Sequence, residues 1–181
     1  PWTTGGAAGT ATSFEFDGDD TLSVDTGYSV LNLGESDFSI SLWVKPDSSS
    51  GYQTLLELYD SSTYEGYQLD YDAGSSALGF NLGDGASRWG WAYTNVPDLT
   101  GGWHHIAVSF DRDGDLALYV DGLPVDAHEQ TPTSGIDPSQ PLTMGNGSNA
   151  GYDGLMDEVR LYDRAITADE VLALANENLS A

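Results

Sequence analysis

The sequence has no cysteine and only one lysine, Lys45. Without cysteine there can be no disulfide and no thiolate metal site. The lysine is joined by four arginines, too few basic side chains for a basic patch. Phosphate-rich partners require such a patch, so nucleic acid and anionic membrane surfaces are excluded as partners. Anionic polysaccharides are disfavoured too, unless a bound cation bridges them. No run approaches the ~18 consecutive apolar residues of a membrane span, so no membrane insertion is expected. The first residues show no basic segment followed by an apolar one, so no signal peptide is expected. A processed chain and an excised domain would both read this way.

Acid is what the chain has in excess, with 21 Asp and eight Glu giving a net charge of −24. A field of that strength keeps a protein soluble but strains its compact state. High salt relieves the strain, because the screening length falls to roughly 3 Å at 1 M. The aspartates run along the whole chain, which points to a salt-adapted surface. The alternative is an acidic extracellular protein that holds calcium. An acidic disordered tail is excluded, since 39% of residues are hydrophobic and 11% aromatic. The 181 residues suffice for one domain with its own core. Pro1 to Ala11 reads as a loose N-terminal segment, with the domain over residues 12–181 and a monomer expected.

Short alternating runs separated by turn signals predict an all-β fold, a two-sheet antiparallel sandwich. The clearest run is Phe38-Ser39-Ile40-Ser41-Leu42-Trp43-Val44. There Phe38, Ile40, Leu42 and Val44 share one face, and Pro46 ends the strand because it lacks a ladder N–H. Further strands are predicted at 14–16, 21–24, 54–59, 67–71, 78–82, 88–94, 104–110, 116–120, 142–144 and 154–161. Asp111-Arg112-Asp113-Gly114 and Asp121-Gly122 are hairpin turns by composition. One short C-terminal helix is predicted. Thr167 is its N-cap, Glu170 completes a capping box, and Val171, Leu172, Leu174 and Ala175 supply its apolar face.

Four segments resemble the laminin-G-like, concanavalin-A-like lectin jelly roll. They are Phe16-Asp17-Gly18, Phe38 to Pro46, Gly102-Trp103-His104-His105-Ile106-Ala107-Val108 through Leu118-Tyr119-Val120-Asp121-Gly122, and Gly154 to Ala165. The resemblance implies an extracellular carbohydrate-binding or adhesion module, secreted or at a cell surface, with a cell-surface glycan as partner. It also implies that the first strand neighbours the last long strand, with a structural calcium often between them. Calcium takes six to eight oxygens from carboxylates and carbonyls. Carried onto this chain, the ligands are the Asp17 and Asp157 side chains and the Gly18 carbonyl, with Asp20 as an addition from the same turn. The alternative is that these acids simply form turns. Asp111-Arg112-Asp113-Gly114-Asp115 has the opening of a calcium loop, but its glycine is misplaced and a hairpin turn explains it.

Sugars stack on aromatic rings while carboxylates and amides take their hydroxyls. Trp43 and Tyr119 lie off the core faces of their strands. Trp89-Gly90-Trp91-Ala92-Tyr93 puts three aromatics on one face; turned inward they are core, and turned outward they form a platform. Tyr59, Tyr64, Trp89 and Trp91 are the candidate carbohydrate contacts, with Tyr67, Asp60, Asp70 and Asn81 on or beside nearby strands. No enzyme is expected. The nearest run to a glycanase strand, Glu15-Phe16-Asp17-Gly18-Asp19-Asp20, ends in Asp and breaks into a turn. His104 and His105 lack a partnered nucleophile in any motif. Two readings stay open behind the binding module: a non-catalytic spacer of a surface protein and, more remotely, a polysaccharide-degrading domain.

Overall fold

A computed structural model describes residues 2–4, 6–7, 12–25, 33–48, 51–90, 94–129, 135–136, 139–147 and 150–177. Its strands are β1 (Trp2–Thr4), β2 (Thr12–Asp17), β3 (Leu22–Val24), β4 (Phe38–Pro46), β5 (Tyr52–Asp60), β6 (Glu65–Asp72) and β7 (Ala77–Asp84), followed by β8 (Arg88–Gly90), β9 (Thr94–Asn95), β10 (His104–Phe110), β11 (Asp115–Val120), β12 (Leu123–Glu129), β13 (Leu142–Met144) and β14 (Asp153–Tyr162). A single helix, α1 (Ala168–Asn176), follows. The expected two-sheet antiparallel sandwich is therefore present. The first sheet runs β1-β2-β14-β4-β10-β11-β12 and the second β3-β13-β5-β6-β7-β8, with β9 also pairing β7. No described helix is long and apolar enough to cross a membrane.

The core forms where the inward faces of the two sheets meet. Phe38, Ile40, Leu42 and Val44 point inward as their alternation requires, against Tyr67, Leu69, Tyr71, Leu78, Phe80 and Leu82 of the second sheet. The Phe38 ring lies 5.2 Å from Tyr67 and 5.2 Å from Phe110, centroid to centroid.

The outer face of the first sheet is covered as well, which explains why β4 is buried along both sides. Ser39 and Ser109 point outward and tie down the segment before α1. The Ser39 hydroxyl donates to Arg164 O at 2.9 Å and accepts from Ile166 N at 2.9 Å, and Ser109 donates to Ile166 O at 2.8 Å. The helix then packs Val171 on Ala107 and Tyr119. Its cap is the predicted one, with Thr167 and Glu170 bonded reciprocally. Trp43 and Tyr119 do leave the core face, but both are buried there.

One expectation needs correction. Trp2–Thr4 is not loose but pairs with Thr12–Phe14, and Ala7 is buried with its N–H on the Asp157 carboxylate. The strand expected at 88–94 is described at its two ends, where Arg88–Gly90 and Thr94–Asn95 both pair with β7, and residues 91–93 lie outside the described residues. Tyr67 is a core residue, stacked between Phe38 and Phe80. The Asp111–Asp115 run forms the expected turn, with Gly114 N donating to Asp111 O and Asp111 N to Asp115 O.

Candidate functional site

On β6 the inward positions are Tyr67, Leu69 and Tyr71, so Gln68 and Asp70 point away from the core. On β7 the same alternation sends Asn81 outward. A register shift on β5 between Thr54 and Leu56 places one extra residue there. It lets Leu55 and Leu56 both enter the core while Thr54, Glu57 and Tyr59 point out. Thr143 of β13 stands opposite Glu57, Glu57 opposite Gln68, and Gln68 opposite Asn81. A row of hydroxyl, carboxylate and amide side chains thus crosses four strands on the outer face of the second sheet.

These groups are bonded to one another. Thr54 Oγ1 donates to Asp70 Oδ1 at 2.9 Å. Asn81 Nδ2 donates to Asp70 Oδ2 and to Gln68 Oε1, each at 3.4 Å. Gln68 Nε2 donates to Glu57 Oε2 at 2.8 Å. Thr54, Gln68, Asp70 and Asn81 are buried, Asp70 at 0% exposure. A buried carboxylate is costly unless hydrogen-bonded, and here it anchors the layer. Glu57 and Tyr59 are half-buried and stand at its accessible margin.

Glycines shape the surroundings. A Cβ at Gly147 would lie 2.5 Å from Thr54 Cγ2 and 2.7 Å from Glu57 Cδ. The loop between β13 and β14 therefore rests directly on this margin. Gly66 and Gly83 leave the row beside Tyr59 without side chains, and a Cβ at either would meet the Leu58 or Tyr64 carbonyl oxygen below 2 Å.

The candidate aromatics separate. Tyr59 belongs to the polar margin. Tyr64 ends the β5–β6 turn, 52% exposed, with its N–H on Asp60 O and a left-handed φ of 61°. Asp60 caps that turn. Its carboxylate accepts from the Ser62 hydroxyl and N–H, which hold it below the usual carboxylate range. Trp89 pairs through its backbone with Leu82; its side chain, and all of Trp91 and Tyr93, lie outside the described residues. Glu57, Gln68 and Thr54 were missed by sequence reasoning, whereas Asp70 and Asn81 were noticed.

A second grouping lies at the β2–β14 corner. Carboxylate oxygens of Asp17, Asp19 and Asp20 all lie within 4.8 Å of one another. Asp19 N donates to Asp17 Oδ1 at 3.4 Å. The Asp19 carboxyl is pushed above its ordinary value by its hydrogen bond to Asp17 and then by the charge of Asp17. An oxygen-only donor set of this kind suits a hard divalent cation. The first and last long strands are neighbours, as expected, but the register puts Asp153 opposite Asp17. Asp157 lies four residues further on, about 13 Å along the strand, and its carboxylate accepts from Ala7 N and Glu158 N. It does not join the corner. The Gly18 carbonyl lies against Gly151, so close that a Cβ there would lie 1.7 Å from its oxygen.

On the other sheet a cleft of about 190 Å³ lies beside α1, lined by Tyr162, Arg164, Ile166, Glu170 and Leu174 among others. Its Arg164 is already paired with Glu170 at 2.7 Å.

The Laminin_G_3 family model, described as the concanavalin A-like lectin/glucanases superfamily, matches residues 16–172. A search of curated proteins finds no match. Among solved structures, domain 4 of AbnA, a GH43 extracellular arabinanase from Geobacillus stearothermophilus in complex with arabinotriose, superposes with a TM-score of 0.73 at 22% identity, covering 96% of this chain and 80% of that one. The Ruminococcus gnavus sialidase CBM40 bound to α2,3-sialyllactose gives 0.74 at 13% identity over 90% and 96%. The binding domain of Paraclostridial Mosquitocidal Protein 1 gives 0.82 at 18% identity. It matches all of this chain, which spans 46% of that structure.

Proposed function

This chain belongs to the concanavalin A-like lectin/glucanases superfamily, and on that footing we propose that it is a carbohydrate-binding module of a secreted or cell-surface protein. The observation that carries the reading is the pairing of Tyr59 with Glu57. They stand two residues apart on the outward face of β5, both half-buried and backed by a hydrogen-bonded polar layer. A ring for stacking beside a carboxylate for hydroxyls is the chemistry a sugar surface needs. Two structures that share the fold were solved with arabinotriose and sialyllactose, which supports the same reading. Exposed Tyr64, at the turn end of the same hairpin, is a further ring available to a ligand.

The module is not an enzyme in this reading. Glycoside hydrolysis needs two carboxyl groups that both reach the substrate. Of the carboxylates on this face, Asp70 is closed off and bound by Thr54 and Asn81, and Asp72 caps the β6–β7 turn through Gly74 N and the Ser75 hydroxyl. Binding to a panel of soluble oligosaccharides and polysaccharide gels, without release of reducing sugar, is the expected result. Silence across glucans, galactans, mannans and arabinans would overturn the reading.

Asp17, Asp19 and Asp20 would hold a structural calcium ion, with water completing its shell, and the ion would relieve their mutual repulsion. The bound ion would pin the turn that leads out of β2. The acid-rich surface is proposed to be an adaptation to salt.

A further inference from the structure

We propose that Glu57 is the hydroxyl-accepting residue of a site for neutral glycans, and that Asp70, Asn81 and Gln68 are its positioning residues. This rests on the carbohydrate-binding reading and adds to it a contact and a class of ligand.

The positioning follows from donor and acceptor accounting. Asp70 can only accept while ionised, so it takes the Thr54 hydroxyl on one oxygen and the Asn81 amide on the other. Asn81 Nδ2 carries two hydrogens and directs its second bond to Gln68 Oε1. With its oxygen turned to Asn81, Gln68 must present its NH2 to the far side, where it meets Glu57 Oε2 at 2.8 Å. The opposite Gln68 orientation would set its NH2 against Asn81 Nδ2 and its oxygen against Glu57 Oε2. The buried carboxylate thereby fixes the orientation of the half-buried one through two amides. A preorganised acceptor loses little rotamer freedom when a ligand arrives. The Gly147 loop, resting on Glu57 and Thr54, holds the same carboxylate from above.

The ligand class follows from charge. Glu57, Asp70 and Asp72 place three carboxylates on this face. Of the five basic residues, Lys45, Arg160 and Arg164 belong to the first sheet and the segment after it. Arg112 lies over the Phe110 ring and donates to Gly34 O. Only Arg88 belongs to the second sheet, where its backbone pairs with Gly83. Even with that guanidinium counted, carboxylates outnumber cations on the face three to one, on a chain of −24. A sialic acid or uronate would bring a further anion to it. A neutral polyhydroxyl ligand has donors for Glu57 and no charge to repel.

The test uses the intact protein and matched ligands: lactose with 3′-sialyllactose, xylotriose with its glucuronate-bearing form, and galactan, arabinotriose and arabinan with polygalacturonate. Affinity is read by titration or gel retardation, and each variant is also melted. Neutral members should bind and their acidic counterparts should bind more weakly. Glu57→Gln should weaken binding by on the order of tenfold, since hydrogen bonds to a charged acceptor are about twice as strong as neutral ones, while leaving the melt unchanged. Gln68→Glu should make affinity pH-dependent. A carboxyl facing Glu57 shares a proton with it and can donate only when protonated, so binding should recover as pH falls towards 5, where the parent protein is flat. If both variants bind a neutral glycan as the parent does, the role of Glu57 is overturned and the carbohydrate reading stands. If the acidic partner of each pair binds more tightly, the neutral class is overturned. If nothing binds, both readings fall.

Discussion

The Ser41 hydroxyl and the His105 imidazole meet at 2.8 Å between Oγ and Nε2, sealed on the outer face of the first sheet. Trp43 closes the imidazole from the side at 5.4 Å, edge to face. Nδ1 has no hydrogen-bond partner among the described residues. Burial holds the imidazole down at about 4 from its ordinary 6.5. Asp121 pulls the other way, Arg160 adds to the depression, and Glu177 opposes it. The folded imidazole therefore binds fewer protons than the unfolded one. Its contribution to stability is complete above pH 6.5 and is lost as pH falls towards 4. Between those limits it amounts to on the order of 2 to 3 kcal/mol. Urea midpoints of the parent and His105→Gln from pH 7.5 to 4 should show the parent losing more stability over that window. Parallel curves would remove His105 as the cause.

The Tyr67 hydroxyl offers the converse case. It is buried without a hydrogen-bond partner among the described residues, and burial raises its pKa well above the ordinary tyrosine value. Tyr67→Phe keeps the stacking on Phe38 and Phe80 and removes an unpaired polar atom. The expected result is equal stability or a gain of about 1 kcal/mol. A loss of that size in chemical denaturation would mean the hydroxyl has a partner.

Much of this was legible beforehand because local patterns carried it. Phe38, Ile40, Leu42 and Val44 announce a face by alternation alone, and Thr167 with Glu170 announces a helix start by spacing alone. Register is different. Adjacency of β2 and β14 was expected, yet nothing local says that Asp153 and not Asp157 sits opposite Asp17. The polar layer was half visible for a similar reason. Gln68, Asp70 and Asn81 occupy outward positions, but the extra residue on β5 that turns Glu57 out is a property of pairing with β6.

Gly151 should tolerate no side chain. A Cβ there would meet backbone atoms of Gly18, 1.7 Å from its oxygen, and backbone cannot step aside as a flexible side chain can. Gly151→Ala should cost about 2 kcal/mol or more and displace the Asp17–Asp20 turn. Gly102→Ala is the control, since neither glycine has a left-handed φ and a Cβ at Gly102 meets only His104 Nε2 at an ordinary 3.7 Å. Equal melting of the two would refute the close approach.

Two ionic effects should separate by concentration. If Asp17, Asp19 and Asp20 hold calcium, submillimolar calcium should raise the melting temperature and chelator should lower it, with the response lost in Asp17→Asn. If surface repulsion limits stability, sodium chloride should raise the melt progressively into the molar range in both proteins. An unchanged melt on chelation, with no metal by elemental analysis, would dismiss the ion. Indifference to molar salt would dismiss the salt adaptation.

The placement of β14 between β2 and β4 sets an order of events in folding. The β4–β10–β11–β12 and β5–β6–β7 pairings form from strands already synthesised before residue 153 emerges. Until then, the facing edges of β2 and β4 expose unpaired backbone that another chain could fill. The last long strand acts as a keystone, and it arrives late. A nascent or truncated chain lacking it is the form in which this protein should aggregate, and a peptide of residues 153–162 supplied in trans should slow that aggregation.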